Sequence, residues 1–543
     1  MSSRKMPIGI QDFEKLRTAG YVYVDKTSYL YEIAKEYRPY FLCRPRRFGK
    51  SLLLSAMKAY FLGKKELFDG LAIAELEKDW IEYPVIYIDF NIGSNDCLQS
   101  VKIALGAILD DYESEWGISE KSINRPFTRL MHLFRSEEAT KYNDLPIRFA
   151  KLIKNASKKW NRKVVVLVDE YDKALVNTMD NPKIHDELLH FFKSFYGVLK
   201  GMDYALRFVF LTGVTKFAKI SIFSDLNQLI DISLYDQYAE ICGISEAELL
   251  TQFQPELHSL AKTTGKTYDE TVAEVKKRYD GYRFSEQSAS IYNPFSILNT
   301  FLQNKYAYYW FKTGTTTFLA NTLRKDNFDV RTFDNDIKIA VVAIDEYRAN
   351  ETSLVPLLYQ SGYLSIKSYN PEYDEFTLGF PNEEVKYGFL KELLPAFAPQ
   401  VIMDDSFSAS RFIKALCKGD VEQFMRILTA FFASIPYDAI KREHRDEQYY
   451  QHLFYLLFTL MGQFVETEVK SAQGRADAVV KTVDSIFVFE FKLEENATAE
   501  DALKQIEDNN YLIPYMSDHR RLVKIGIEFS KESKGIQRWL TSD

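Results

Sequence analysis

The feature that most constrains the fold is a strand with an entirely apolar centre, KVVVLV at Lys163 to Val168. A strand whose neighbouring residues are all apolar has no face suited to water, so it must be covered on both sides, as in a parallel sheet between helices. Three more short apolar strands, at Tyr40 to Cys43, Val85 to Asp89 and Arg207 to Leu211, are separated by helical stretches. This alternation predicts an α/β fold with a doubly wound parallel sheet.

Two carboxylates, Asp169 and Glu170, follow the central strand at once. In P-loop ATPases an acid at the end of a strand holds Mg²⁺, and a second polar group orients or activates the attacking water. We therefore expect Asp169 to hold Mg²⁺ through water and Glu170 to act on the attacking water. The strand that begins at Arg207 leads into Thr212, where a side chain could touch the γ-phosphate of ATP.

A loop ending in Gly-Lys-Ser joins the first apolar strand to a helical run, SLLLSAMKAYF. A strand, such a loop and a helix in this order are the context of a P-loop. Backbone N–H groups and the helix N-terminus would hold phosphates, Lys50 would reach the β- and γ-phosphates, and Ser51 would ligate Mg²⁺. The expected nucleotide-binding residues are Arg46, Arg47, Phe48, Gly49, Lys50, Ser51, Asp169 and Thr212.

The loop departs from the usual pattern at Arg44, which stands where a P-loop has its first Gly. A bulky residue there limits close approach of the backbone to a phosphate. A Gly-Lys-Ser that only opens a helix is the alternative interpretation. The three arginines of the loop also invite a nucleic-acid interpretation, but their place favours contact with a nucleotide or with strand-end carboxylates.

The stretch from Gly474 to Leu493 predicts a β-hairpin with a second kind of chemistry. Two runs rich in Val, Ile and Phe, Arg475 to Val483 and Ser485 to Leu493, are broken only at Val483-Asp484. With those two residues as the loop, Thr482 faces Ser485. Because side chains alternate along a strand, the hairpin then gathers three charged groups on one face, with a phenylalanine layer on the other. These groups are Asp477, Glu490 and Lys492.

Two carboxylates and an ammonium in this arrangement suit a metal-dependent nuclease. Asp477 and Glu490 would hold a hard divalent cation such as Mg²⁺, with Mn²⁺ as the other candidate. A bound cation lowers the pKa of its water, and Lys492 would orient that water or neutralise charge on the phosphate. The alternative is a half-buried hairpin whose polar face is solvated. A one-residue slip of the register would remove Asp477 from the cluster.

The order of elements around the hairpin is α-β-β-β-α-β, with Asp…Glu-x-Lys on its second and third strands. This order resembles the core of the PD-(D/E)xK nuclease superfamily. The resemblance implies that Glu447, on the helix before the sheet, completes the site, and that Gln505 on the later helix belongs to it. The remaining elements are Glu443 to Phe464 (helix), Val465 to Ser471 (strand), Ala499 to Asn509 (helix) and Arg521 to Phe529 (strand).

Three motifs, YVDKT at Tyr23, RPRRFGKS at Arg44 and VDEYDKAL at Val168, extend the resemblance over nearly the whole chain. They resemble a bacterial family that joins an AAA-ATPase-like P-loop domain to a C-terminal PD-(D/E)xK nuclease-like domain. The resemblance implies that an arginine-rich loop poor in glycine is ordinary in the family. The residue pattern along the chain predicts domains at residues 1–235, 236–420 and 421–543. The middle one is expected to be mostly helical, with a winged-helix-like hairpin at Tyr363 to Gly379.

Composition limits the classes of partner. The 543 residues carry a formal net charge of −7 with a pI near 5.8, so no overall basic field attracts nucleic acid, and contact with it requires a local patch. The four cysteines form no C-x-x-C pair, which argues against a zinc site or a disulfide framework. The start has no apolar signal segment, and the apolar run at Leu453 to Met461 is too short to span a membrane. We expect a cytoplasmic protein.

These observations favour an ATP-binding, Mg²⁺-dependent nuclease, with DNA as the expected nucleic acid and a homo-oligomer as an open expectation. The rival interpretation is a nucleotide-dependent switch or assembly protein whose C-terminal domain binds nucleic acid or protein without cutting. A full set of Asp477, Glu490 and Lys492 favours the nuclease. The acidic charge favours the switch.

Overall fold

The chain divides into two compact units, Met1–Lys312 with Phe333–Val385, and Thr313–Thr332 with Lys386–Asp543. The predicted domain bounds after residues 235 and 420 stay predictions. The computed structural model describes residues 4–91, 93–118, 144–179, 181–216, 222–223, 228–310, 330–333, 337–345, 354–397, 409–433, 435, 447–460, 470–471, 474–482, 484–530 and 535–542.

A five-stranded parallel sheet forms the centre of the first unit, in the order β2-β3-β4-β1-β5. Every residue of β3 is buried, as its apolar sequence requires. The predicted doubly wound parallel sheet is confirmed, and its predicted strands differ from the observed ones by two residues at most. The strands are β1 Pro39–Cys43, β2 Val85–Asp89, β3 Val164–Asp169, β4 Leu206–Gly213 and β5 Ile230–Asp231, the last of which was not predicted.

Helices cover both faces of this sheet. On one face Phe61 lies 5.0 Å from Phe208 between ring centroids, and on the other Phe149 and Phe195 stack within the main core. The two covered faces explain why β3 needs no polar side chain. The helices are α1 Phe13–Thr18, α2 Thr27–Ala34, α3 Lys50–Phe61, α4 Ala72–Leu76, α5 Leu98–Glu115, α6 Leu145–Trp160, α7 Lys173–Asn177 and α8 Pro182–Gly201.

The rest of the first unit is mostly helical, as predicted. It begins with two short consecutive helices, and Pro255 lies in the first turn of the second. The predicted hairpin is present and pairs with a third strand in the order β6-β8-β7. These elements are α9 Glu246–Gln252, α10 Gln254–Thr264, α11 Tyr268–Tyr279, α12 Pro294–Gln303, β6 Ile337–Ala340, α13 Val341–Asp345, α14 Val355–Ser361, β7 Ser365–Asn370 and β8 Glu375–Gly379. Helix α15, Glu383–Phe397, begins in the first unit and continues into the second.

The second unit contains a mixed sheet in the order β11-β12-β13-β14, with β12 and β13 parallel. β14 was not predicted; it pairs antiparallel with β13. Of the predicted first strand, Val465 to Ser471, residues 465–469 lie outside the described ones. The elements are α16 Ala409–Cys417, α17 Val421–Ala433, α18 Glu447–Leu460, β9 Lys470–Ser471, β10 Gly474–Arg475, β11 Ala478–Lys481, β12 Ser485–Leu493, α19 Ala499–Asp508, β13 Arg521–Ser530 and β14 Gly535–Ser542.

The two faces of β12 meet different helices. Phe489 and Phe491 lie 5.0 and 4.7 Å from Phe454 of α18, between ring centroids. Val488, on the opposite face, belongs to a core cluster with Ile506 of α19. The predicted phenylalanine layer therefore packs on α18, and the face that carries Glu490 and Lys492 is covered by α19. Among the residues that the structure describes, no helix is long and apolar enough to cross a membrane.

Candidate nucleotide and nuclease sites

The carboxyl ends of β1, β3 and β4 bring the predicted nucleotide-site residues together. The Thr212 hydroxyl donates to Asp169 Oδ1 at 2.7 Å, and the Ser51 hydroxyl also hydrogen-bonds to the Asp169 carboxylate. Lys50 opens α3 and is 5 % exposed, and its Nζ donates to the backbone oxygens of Arg44 (2.9 Å) and Pro45 (3.1 Å). The site is thus assembled from three segments that are far apart in sequence.

Asp169 is fully buried, and burial raises the pKa of its carboxyl above the ordinary value. Its hydrogen bonds from Ser51 and Thr212 and the charge of Lys50 act in the opposite direction. A carboxylate beside a serine hydroxyl is a set of hard oxygen ligands, which suits Mg²⁺. A cation held by Ser51 and Asp169 would take the place of the hydrogen bond between these two side chains. The residues present therefore fit a magnesium ion.

Two loop residues have left-handed backbone conformations, Arg47 with φ 68° and Gly49 with φ 96°. Such residues, placed before a helix, turn successive N–H groups toward one side, which is how a backbone concavity for anions forms. Gly49 supplies its conformation without steric cost, whereas Arg47 does not. The loop therefore has the backbone features of an anion site although it has a single glycine.

Arg44 explains how the loop tolerates a bulky residue at the position of the first Gly. Its side chain is 1 % exposed, and its guanidinium donates to the backbone oxygens of Cys43 (2.9 Å), Ser233 (2.8 Å) and Tyr238 (3.0 Å). It also lies 4.1 Å from the ring centroid of Phe284. All of these partners are outside the phosphate-binding part of the loop. The steric objection raised by the sequence is removed because the side chain is packed elsewhere.

Glu170 adopts a left-handed conformation with φ 49°, an uncommon one for a residue with a side chain. Its backbone N–H donates to Asp169 Oδ1 at 3.0 Å, and its carboxylate lies 3.4 Å from Lys173 Nζ. Strained residues of this kind persist where surrounding contacts hold them, and they concentrate at functional sites. The structure thus places Glu170 directly beside Asp169.

Sequence reasoning missed Asp172, which is buried and ties the segment after β3 to the segment after β4. Its carboxylate accepts from Val214 N (3.1 Å), from Thr215 N (2.6 Å) and from the Thr215 hydroxyl (2.6 Å). Burial raises the pKa of this carboxyl. The spacing Asp-Glu-x-Asp was the signal available in the sequence.

An apolar pocket beside Gly49 was also missed. It is open to solvent and has an empty volume of about 610 Å³, the solvent in its mouth included. Part of its wall comes from the YVDKT motif, the signal that the sequence did offer. Its lining includes Tyr23, Val24, Lys26, Phe48, Leu52, Leu53, Ile241, Cys242, Phe253 and Leu298.

In the second unit the predicted hairpin register is confirmed. Ala478 pairs with Phe489 and Lys481 with Ile486, and Thr482 N donates to Ser485 O at 2.8 Å. The same register places Asp477 opposite Glu490. The predicted strand from Arg475 to Val483 is shorter than expected, because Ala476 and Asp477 separate β10 from β11. Val483 lies outside the described residues.

Asp477 immediately precedes β11. Its carboxylate, and not a backbone oxygen, accepts a hydrogen bond from a backbone N–H of β12. Oδ2 accepts from the backbone N–H of Phe491 at 2.7 Å, and Oδ1 accepts from Gln451 Nε2 at 2.8 Å. Gln451, on α18, was not predicted from the sequence. Because Phe491 follows Glu490 directly, the Asp477 carboxylate is held next to the strand segment that carries the other acid.

Glu490 is 2 % exposed, and its Oε1 accepts from Lys492 Nζ at 3.0 Å and from Gln505 Nε2. The structure thus brings Lys492 and Gln505 to one carboxylate oxygen. Glu447 is the first residue of α18, but its side chain lies outside the described part of the chain. Among the described residues, no group of three or more His, Cys, Asp or Glu could hold a metal ion. A cation at Asp477 and Glu490 would need water or substrate oxygens as its other ligands.

Comparisons with known proteins match this division of sites. A family model described as predicted AAA-ATPase matches residues 7–223, and a model of the PD-(D/E)XK nuclease superfamily matches residues 445–539. The chain is 32 % identical over 544 residues to a protein of Azotobacter chroococcum mcd 1 named "Uncharacterized protein in vnfD 5'region", covering 99 % of this chain and 98 % of that protein. The chain belongs to the family that joins these two domains.

Membership confirms the resemblance on which the sequence analysis relied, and both halves have the folds that it implied. The AAA-ATPase-like domain and the nuclease superfamily domain imply use of a nucleotide and a divalent metal. The nuclease-like domain also implies interaction with nucleic acid. Both domain matches suggest hydrolase activity.

Proposed function

We propose that the protein is an ATP-binding, Mg²⁺-dependent nuclease in which the AAA-ATPase-like domain regulates the nuclease domain. The observation that carries the proposal is the cluster at Glu490, where one buried carboxylate oxygen accepts from both Lys492 and Gln505. Asp477 is held opposite it by the hairpin register. Glu490 is only 2 % exposed, which argues against the alternative of a hairpin whose polar face is solvated.

At the nuclease site we assign a divalent cation to Asp477 and Glu490, with Mg²⁺ first and Mn²⁺ as a substitute. The cation would lower the pKa of a bound water and offset charge on the phosphate. Lys492, held beside Glu490, would orient the attacking water or stabilise the negative charge of the transition state. Gln505 would fix the orientation of Glu490 through its hydrogen bond to Oε1. Glu447 is proposed as a further acid on the strength of the resemblance.

At the nucleotide site the ammonium of Lys50 lies across the loop, where it would neutralise the β- and γ-phosphates. Backbone N–H groups from Arg46 to Ser51 would bind the same phosphates. Ser51 and Asp169 would hold Mg²⁺, and Thr212 would contact the γ-phosphate from β4. Glu170 would activate water. The apolar pocket beside Gly49 would take the flat adenine ring, which supports a nucleoside triphosphate over a simple anion.

The test is incubation of the full chain with plasmid, linear and single-stranded DNA and with RNA, each with and without Mg²⁺ or Mn²⁺ and with and without ATP. We expect metal-dependent cleavage whose rate changes with ATP, and DNA is the expected substrate. Lys524→Ala is a matched control for Lys492→Ala, because Lys524 lies on the neighbouring strand and pairs with Glu507 at 2.7 Å instead of with the site.

Nucleic-acid binding without cleavage under every condition would overturn the nuclease and support the rival, a nucleotide-dependent switch. Cleavage at the same rate with and without ATP would support the nuclease activity and overturn its regulation by the AAA-ATPase-like domain. A cytoplasmic location and a homo-oligomeric assembly stay predictions of the sequence.

A further inference from the structure

The phosphate loop packs over much of its length on a later part of the first unit, around Tyr282 to Trp310. The Phe48 ring meets Tyr282 and Phe284 edge-on at centroid distances of 4.8 and 5.4 Å. The Arg47 guanidinium lies 3.8 Å from the ring centroid of Phe295, in the first turn of α12. These contacts direct loop side chains toward α12 and its neighbours. The side chains of Arg47 and Phe48 are therefore packed against this later part of the first unit.

Trp310 binds the loop backbone directly. Its indole Nε1 donates to the backbone oxygen of Arg46 at 3.3 Å, and its side chain is nearly buried. The ring also packs edge-on against Tyr363 at 5.2 Å. Arg46 immediately precedes the left-handed Arg47, so this hydrogen bond acts on the turn that gives the loop its shape.

Glu384 holds Trp310 in turn. It is 1 % exposed, and its Oε1 accepts from the backbone N–H groups of Tyr309 and Trp310, the latter at 2.9 Å. Its Oε2 accepts from the Ser296 hydroxyl at 2.6 Å. Ser296 follows Phe295, the residue on which Arg47 lies. The contacts thus form a closed ring that leaves the loop at Arg46 and returns to it at Arg47.

We propose that Trp310 and Glu384 are positioning residues that hold the phosphate loop in its nucleotide-binding shape. The proposal rests on the nucleotide site proposed above. A residue with a side chain keeps a left-handed backbone only where its surroundings impose it. Arg47 lacks the short polar side chain with which Asn or Asp stabilises this conformation through a local hydrogen bond. In a loop with a single glycine, the ring of contacts supplies from outside what flexible glycines supply in other P-loops.

The test compares ATP affinity by calorimetric titration in five variants of the full chain. Trp310→Phe keeps the aromatic packing and loses only the indole N–H, so we expect affinity to fall about fivefold, the usual worth of one hydrogen bond. Trp116→Phe is the matched control, since Trp116 is equally buried in the same unit but packs on Tyr112 and Trp160. It should bind like the unaltered chain.

A second readout separates positioning from general stability. Nucleotide binding should change the tryptophan emission of the unaltered chain and of Trp116→Phe, and Trp310→Phe should lose that change. Glu384→Ala should weaken binding further. Glu384→Gln retains an oxygen that can accept from Trp310 N and should restore most of the affinity.

Lys50→Ala distinguishes failure of this inference from failure of the proposed function. ATP binding unchanged by Lys50→Ala would remove the nucleotide site itself. Loss of binding in Lys50→Ala, together with full affinity and an intact emission change in Trp310→Phe, would overturn the positioning role alone. Because Trp310→Phe is conservative, the test does not depend on whether Glu384→Ala folds.

Discussion

The two candidate sites are built in opposite ways. At the candidate nuclease site, Asp477, Glu490, Lys492 and Gln505 come from 29 consecutive residues, and the hairpin register places Asp477 opposite Glu490. At the nucleotide site, Lys50 comes from the start of α3, Asp169 from the end of β3 and Thr212 from β4. The pairing of residues in a hairpin can be worked out by counting outward from its turn. Segments that are far apart in the sequence become neighbours only through the order of the strands in the sheet. The hairpin register at the first site was therefore predictable from the sequence. For the second site the sequence indicated the residues but not the contacts between them.

The largest expected effect tests the local site. Glu490→Ala or Asp477→Ala should abolish detectable cleavage, because each removes one of two carboxylates assigned to the cation. Metal binding measured by calorimetry should fall together with cleavage. Retained cleavage in both variants would mean that these acids have a structural role. The hairpin would then not form a catalytic site that could be compared with the nucleotide site.

Glu170→Gln tests the site assembled from distant strands. The amide cannot take a proton from water, so ATP hydrolysis should fall by about two to four orders of magnitude, the usual contribution of a general base. Binding of ATP should persist, since Lys50, Ser51 and Asp169 are unaltered. The measurements are steady-state phosphate release and calorimetric titration. An unchanged rate of release would move the catalytic base away from the strained residue after β3.

Lys492→Ala separates the two roles within the nuclease site. Cleavage should fall by about two to three orders of magnitude, as for loss of one electrostatic stabiliser, while the cation still binds. Cleavage rate and metal affinity are measured on the same preparation, with Lys524→Ala as the control. Loss of metal binding in Lys492→Ala would show that the ammonium supports Glu490 structurally instead of acting on water or phosphate.

The smallest effect concerns Glu384, the acid of the ring behind the phosphate loop. Burial raises the pKa of Glu384 to about 7, against an ordinary value of 4.5. The folded state thus holds this proton more tightly than the unfolded state does. The free energy of unfolding should fall as the pH rises from about 4.5 to about 7, by on the order of 3 kcal/mol from this group. Urea unfolding at several pH values measures it.

Glu384→Gln provides the comparison for that measurement. The amide does not titrate, so the difference in unfolding free energy between the two proteins should change over the same pH interval and stay constant above it. Parallel curves for the two proteins would show that the carboxyl titrates near its ordinary value and is hydrated in the folded state.

Arg44 shows where sequence reasoning stopped at the nucleotide site. A bulky residue in the place of the first Gly raised a steric objection, and nothing nearby in the sequence answered it. The structure answers it with the backbone oxygens of Ser233 and Tyr238 and the ring of Phe284. Those partners lie about 190 to 240 residues further along the chain. Their contacts depend on tertiary packing, which no local pattern encodes.

The nuclease site shows a smaller gap of the same kind. Asp477, Glu490 and Lys492 followed from strand alternation, and Gln505 from the resemblance. Gln451 did not, because its contact with Asp477 depends on how α18 packs across the phenylalanine layer. The strand β14 was missed as well; its sequence GIQRWLTS has no sustained alternation, and it is a strand because β13 offers an unpaired edge.

By itself, the sequence determined the parallel sheet and the hairpin register, since these follow from apolar runs and alternation within short stretches. The resemblance of its motifs to known proteins indicated the two families. Only the tertiary structure decided how Arg44 is accommodated, what supports the loop at Arg46 and Arg47, and which side chains orient Asp477. The physical reason is the distance along the chain between the residues that interact. Burial and periodicity act on neighbours in the chain, whereas a buried guanidinium or carboxylate must find partners wherever the fold brings them.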